Sequence, residues 1–154
     1  MRCAKPGECE EGLTSIDFYY NASDRLEIAC RLAGKALQQN KRMLIYAPQP
    51  DVARRLDRLL WTAQAVSFIP HCAAHDPLAA DTPVLIADGN QAAPACEVLL
   101  NLAFDCPPLF ERHQRLIEIV AQADEERQAG RLRYAFYRDR GYAIRGHDLA
   151  KDRA

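Results

Sequence analysis

The chain has 154 residues, 49% of them hydrophobic, which is the size and composition of one globular domain with one core. Its 20 Lys and Arg stand against 21 Asp and Glu, a formal net charge of -1. That balance gives no overall electrostatic reason to bind nucleic acid or an anionic membrane, so any charge argument has to be local. The longest apolar runs, Pro83–Ala87 and Val98–Leu102, fall far short of the roughly 20 residues that cross a bilayer.

Residues 1–13 are polar, punctuated by Pro6, Gly7 and Gly12, and read as a disordered extension outside the fold. They contain no apolar export core and are too acidic for a transit peptide, so the expected location is the cytoplasm. The six cysteines (Cys3, Cys9, Cys30, Cys72, Cys96 and Cys106) are then expected to be reduced thiols.

The first element is a strand at Ile16–Tyr20, followed by a helix that Ser23 or Asp24 caps and that carries Leu26, Ala29, Ala33, Ala36 and Leu37. The pair repeats: Met43–Ala47 is a short strand of the buried type, and Pro50 opens a helix with Val52, Leu56, Leu59 and Leu60 on one face. Further strands are expected at Ser67–Ile69, Val84–Ala87, Glu97–Leu102 and Leu116–Ala121. A final helix spans Asp124–Arg140, ends near Gly141, and contains Gly130, which costs about 1 kcal/mol relative to Ala. Alternation of this kind predicts a single three-layer α/β domain with a mostly parallel sheet over residues 14–145, followed by a tail at 146–154.

Such sheets often bind nucleotides through a glycine-rich turn after an early strand, because backbone amides must come close to phosphates. Here that turn is Asn21-Ala22-Ser23, and no Walker or G-x-G-x-x-G pattern occurs. His71-Cys72-Ala73-Ala74-His75 offers three metal-ligand types within five residues, but with no fourth ligand in view it reads as ordinary loop. Asp88 sits where phosphotransfer enzymes place a magnesium ligand, yet beside Gly89-Asn90 it is more simply a turn residue. No cofactor, metal or catalytic residue is assigned.

The informative stretch is Arg127–Arg145, with six arginines (127, 131, 133, 138, 140 and 145) against one acid, Asp139. At about 100° per residue, Arg131, Tyr134 and Arg138 all fall within about 40° of Arg127, whereas Leu132 and Phe136 fall about 140° and 180° away. The expected helix thus has a core face and a basic stripe containing a tyrosine. Most charge runs are solvated helix faces. The alternative is a clamp for an acidic peptide or a terminal carboxylate, because guanidinium forks bind carboxylates bidentately. Trp61 lies off the leucine stripe of its helix; it either projects beside Phe68 as an interface anchor or folds back into the core past the helix end.

Ile16-Asp17-Phe18-Tyr19, Leu59-Leu60-Trp61 followed by Ser67-Phe68-Ile69-Pro70-His71, and Arg131-Leu132-Arg133-Tyr134-Ala135-Phe136-Tyr137-Arg138 together resemble the chi subunit family of bacterial DNA polymerase III holoenzyme. The resemblance covers about Thr14–Arg145 and implies a nucleotide-binding-like fold without nucleotide chemistry. It also implies a subunit of the clamp-loader complex of a DNA-directed DNA polymerase that is not itself an enzyme. Such subunits grip the acidic C-terminal tail of single-stranded-DNA-binding protein, which ends in an apolar residue with a free carboxylate. The matching residues here are Arg127, Arg131 and Tyr134, with Val120 as a pocket wall. The Trp61 and Phe68 block matches the family surface for the psi subunit or a DNA helicase, and DNA contact is expected to be mainly indirect. Ala135 departs from the family, occupying a position that can be basic. A small nucleotide-dependent hydrolase and a direct binder of single-stranded nucleic acid through the arginine helix are the competing readings.

Overall fold

The computed structural model describes residues 14–62, 69–87, 96–107 and 110–152. In β1 (Ser15–Ala22) strict alternation sends Ile16 and Phe18 into one core and Asp17 and Tyr19 to the other face of the sheet. Asp24, not Ser23, caps α1 (Arg25–Gln38): its carboxylate accepts the backbone N–H of Leu26 at 3.0 Å. Asn40, at φ 60°, turns the chain into β2 (Met43–Tyr46). Then α2 (Pro50–Thr62) buries Leu56 and Leu60 while Val52 and Leu59 pack against the same core. The remaining elements are β3 (His71–Ala73), β4 (Val84–Ala87), β5 (Val98–Asn101), β6 (Arg115–Ala121), α3 (Asp124–Asp139), β7 (Ile144–Asp148) and α4 (Leu149–Asp152).

The seven strands form one open sheet in the order β3-β4-β2-β5-β6-β1-β7, with every pairing parallel. Parallel neighbours need crossover connections, and these are right-handed. The crossover from β1 through α1 to β2 moves three places one way, whereas the crossover from β6 through α3 to β7 moves two places the other way. Opposite directions with the same hand put the helices on opposite faces. Accordingly α1 and α2 cover Ile45, Ile117 and Ile119, and α3 covers Ile16, Phe18 and Leu116. Between β6 and β1 the chain therefore leaves the strand ends toward opposite faces, and such a reversal opens a crevice. Arg25 and Glu126, from the first turns of α1 and α3, pair across it at 3.0 Å.

Four expectations change. Ser67 and Phe68 lie outside the described residues, Ile69 is not in a strand, and the edge strand is β3. The His71-Cys72-Ala73 segment is thus strand, with His71 Nε2 2.9 Å from the Asp57 carboxylate. Residues 146–148 are not tail: β7 runs parallel to β1, and the boundary drawn at 145 falls inside it. Leu132, expected in the core, is 75% exposed, because the buried face of α3 is centred on Gly130, Arg133 and Tyr137. Residues 1–13 and Asp88 also lie outside the described residues. The described cysteines, Cys30, Cys72, Cys96 and Cys106, are free thiols. Among the described residues no helix is long and apolar enough to cross a membrane.

Candidate functional site

The candidate site follows from how α3 is fixed on the sheet. Glu118, on the α3 face of β6, is fully buried, and burial pushes its carboxyl up while Arg133, Tyr137 and Asn101 oppose the shift. Arg133 donates from Nε to Glu118 Oε1 at 2.8 Å and from Nη1 to the Phe104 carbonyl at 2.7 Å. Tyr137 donates its hydroxyl to Glu118 Oε2 at 2.5 Å, and Asn101 Nδ2 reaches both carboxylate oxygens at 3.1 Å. Every member has a partner, so the network sets the rotation of α3 without leaving an orphaned buried charge. Arg133, one of the six arginines of this stretch, is thereby neutralised inside the protein.

One turn nearer the helix start, α3 touches the sheet directly. A Cβ on Gly130 would stand 2.8 Å from Val120 Cγ2, closer than packed carbon atoms allow, so the glycine is required by the contact. This answers its helix-propensity cost: the residue that weakens the helix lets it approach β6. With α3 held this way, Arg127, Arg131 and Tyr134 stand beside the buried face rather than opposite it, facing Phe18 and Tyr20 of β1.

The result is a groove of about 350 Å³ between α3 and the ends of β1, β6 and β7. Val120 and Phe18 form its apolar floor, and the Tyr134 ring meets Phe18 edge-on at 5.4 Å. Tyr20, 40% exposed, walls the far side over Gly146, where a Cβ would come within 3.2 Å of its ring. Asn21 closes the end at φ 66° and donates from Nδ2 to Asp148 at 2.8 Å. Arg127 and Arg131 stand exposed at the mouth, and among the described residues lining the groove there is no carboxylate. An apolar floor under two unopposed guanidiniums suits a ligand that ends in an apolar side chain beside carboxylates.

All four residues singled out for this site, Arg127, Arg131, Tyr134 and Val120, line the one groove. Phe18, Tyr20, Gly130 and Gly146 line it too and were not anticipated. The two-residue period of β1 already placed Phe18 and Tyr20 on one face, but Gly146 belongs to a strand with no sequence signal.

Trp61 lies elsewhere, at the end of α2. Its side chain projects at 58% exposure and meets the His71 ring edge-on at 5.6 Å, so it does not fold back into the core. Phe68 lies outside the described residues.

Residues 13–145 match the family model described as DNA polymerase III chi subunit, HolC. Among curated relatives, DNA polymerase III subunit chi of Pseudomonas aeruginosa is 32% identical, covering 90% of this chain and 99% of its own length. The Escherichia coli protein of the same name is 28% identical over 77% of this chain and 81% of its own, and that of Haemophilus influenzae 27% over 77% and 83%.

Proposed function

The chain belongs to the DNA polymerase III chi subunit family, and from that membership we propose that it is a non-catalytic cytoplasmic adaptor that grips the acidic C-terminal tail of single-stranded-DNA-binding protein. As a member of that family it is an accessory subunit of DNA replication associated with the polymerase complex. The finer reading rests on one observation: the groove under α3 combines Arg127 and Arg131 with an apolar floor and, among the described residues, no acidic lining residue.

In this reading Arg131 and Arg127 pair with the tail's carboxylates, and its terminal apolar side chain enters between Val120, Phe18 and Tyr134. The interaction needs no cofactor, because charge and apolar burial supply it. A contact of this size binds in the micromolar range, about -8 kcal/mol, and weakens as salt screens the guanidiniums. The exposed Trp61, with Phe68, is the anchor for a second partner, the psi subunit or a DNA helicase, so that the tail and the polymerase assembly are held at once. Contact with DNA through the groove is then indirect.

Titration of the chain with a fluorescent peptide of the tail tests the first contact. Arg131→Ala should weaken binding by at least about fivefold, and an unchanged affinity would refute the assignment.

A further inference from the structure

A second cationic site lies on the opposite face of the sheet, away from the groove. There α1 packs over β6 and α4 against β1 and β7, while Arg145 of β7, the edge strand, reaches solvent. Asp17 of β1 is fully buried and gathers three partners from its two neighbouring strands. Arg115 of β6 donates from Nε to Oδ2 at 2.5 Å, Arg145 of β7 lies with Nε 2.9 Å from Oδ1, and His147 of β7 has Nε2 3.1 Å from Oδ1. The Arg115 Nη2 also donates to the Tyr19 hydroxyl at 3.1 Å, and the Tyr19 ring stacks on His147 with centroids 4.4 Å apart. Lys35 of α1 extends the row, lining with Arg115 a hollow of about 130 Å³.

Arg145 of β7, Arg115 of β6 and Lys35 of α1 thus form a row of cations, with the buried carboxylate of Asp17 on β1 between the two arginines. Asp17 fixes the guanidiniums in position but compensates only one charge. The Arg145 side chain is 67% exposed, and those of Arg115 and His147 are each 34% exposed, so the charged heads remain open to a ligand.

We infer that this row of cations binds the phosphodiester backbone of a single-stranded nucleic acid. Guanidiniums held by a buried carboxylate are preorganised donors for phosphate oxygens. Only Lys35 and Arg115 line the hollow, while Arg145 stands outside it on β7, so the cations are spread over three elements rather than gathered around one small anion, and a strand can lay successive phosphates along the row. A peptide would need an apolar anchor, and the apolar side chains that line the hollow, such as Leu32 and Ile117, are buried. The Tyr19–His147 pair stands beside the row as a surface for a base, the combination found in strand-binding grooves. The site is independent of the tail groove, so either can fail without the other.

The test is titration of the full chain with a fluorescent oligothymidylate at low salt. Arg145→Ala, chosen because the side chain is mostly exposed, should weaken the strand by about fivefold and lower the magnitude of the log-log salt slope by about 0.7 for each phosphate no longer neutralised. It should leave tail-peptide affinity unchanged, and Arg131→Ala should leave strand affinity unchanged. Equal strand affinity in wild type and Arg145→Ala, or weakening in Arg131→Ala instead, would overturn the inference. At matched ionic strength inorganic phosphate should compete no better than chloride. Stronger competition would identify a site for free phosphate and overturn the strand as ligand.

Discussion

Gly130 concentrates the conflict between local preference and packing. Replacing it with alanine favours the helix by about 1 kcal/mol, but the added methyl meets Val120, whose β-branched side chain is stiff at χ1. Overpacking of that kind costs about 1–3 kcal/mol, so Gly130→Ala should lower the urea midpoint and weaken tail-peptide binding as α3 is pushed off Val120. A raised midpoint with unchanged binding would contradict the contact. Asp17 makes a separate point about charge. Burial alone would raise its carboxyl, but hydrogen bonds from Arg115 and His147 and the charges of Arg115 and Arg145 outweigh burial and hold it below the ordinary value. A depressed carboxyl stabilises the fold above its unfolded pKa of about 4, and that stability is lost as pH falls through the folded value. Asp17→Asn should therefore be less stable than wild type near neutrality and show a flatter melting-temperature profile below about pH 4. Parallel profiles would mean that Asp17 does not carry the acid dependence.

At the level of elements, α3 is the part that turns a sheet into a site. Its extent was legible in sequence, from the acidic first turn at Asp124 to Gly141, which adopts φ 85° just past the helix end. Its rotation was not, because the buried face is built from a glycine, an arginine and a tyrosine, and hydrophobic periodicity ranks those residues as surface. Its partners, Glu118 on β6 and the Phe104 carbonyl, make Arg133 a core residue. The same reason hides β7: Ile144-Arg145-Gly146-His147-Asp148 has no apolar alternation and becomes a strand by pairing with β1. Strands with apolar runs, such as β2 and β4, were placed correctly because burial on both faces leaves a sequence trace. The α3 lock has a measurable weight. Arg133→Met leaves Glu118 buried without its cation, which costs about 3–5 kcal/mol, and a near-neutral change in urea denaturation would show that the pair does not hold the helix.

On the scale of the whole molecule, the proposed contacts occupy separate places: the groove under α3, the end of α2 at Trp61, and the cation row on the opposite face of the sheet. Sites that share no partners behave additively. Trp61→Ala should abolish capture of the psi subunit or helicase in a pull-down while tail-peptide affinity stays at the wild-type value, and coupled losses would show that the two are not separate. What made the groove readable from sequence was the helical spacing of Arg127, Arg131 and Tyr134 together with the family resemblance. What made it a groove, the closeness permitted by Gly130 and Gly146, depends on strands far apart in the chain. The central claim is that the groove grips a chain terminus. Its most direct test is calorimetric titration with the tail peptide carrying either a free or an amidated C-terminus, at low and high salt. The account predicts micromolar, salt-weakened binding for the free acid and at least about a tenfold loss on amidation, the scale of one charge-assisted hydrogen bond. Equal affinity for the two peptides would contradict it.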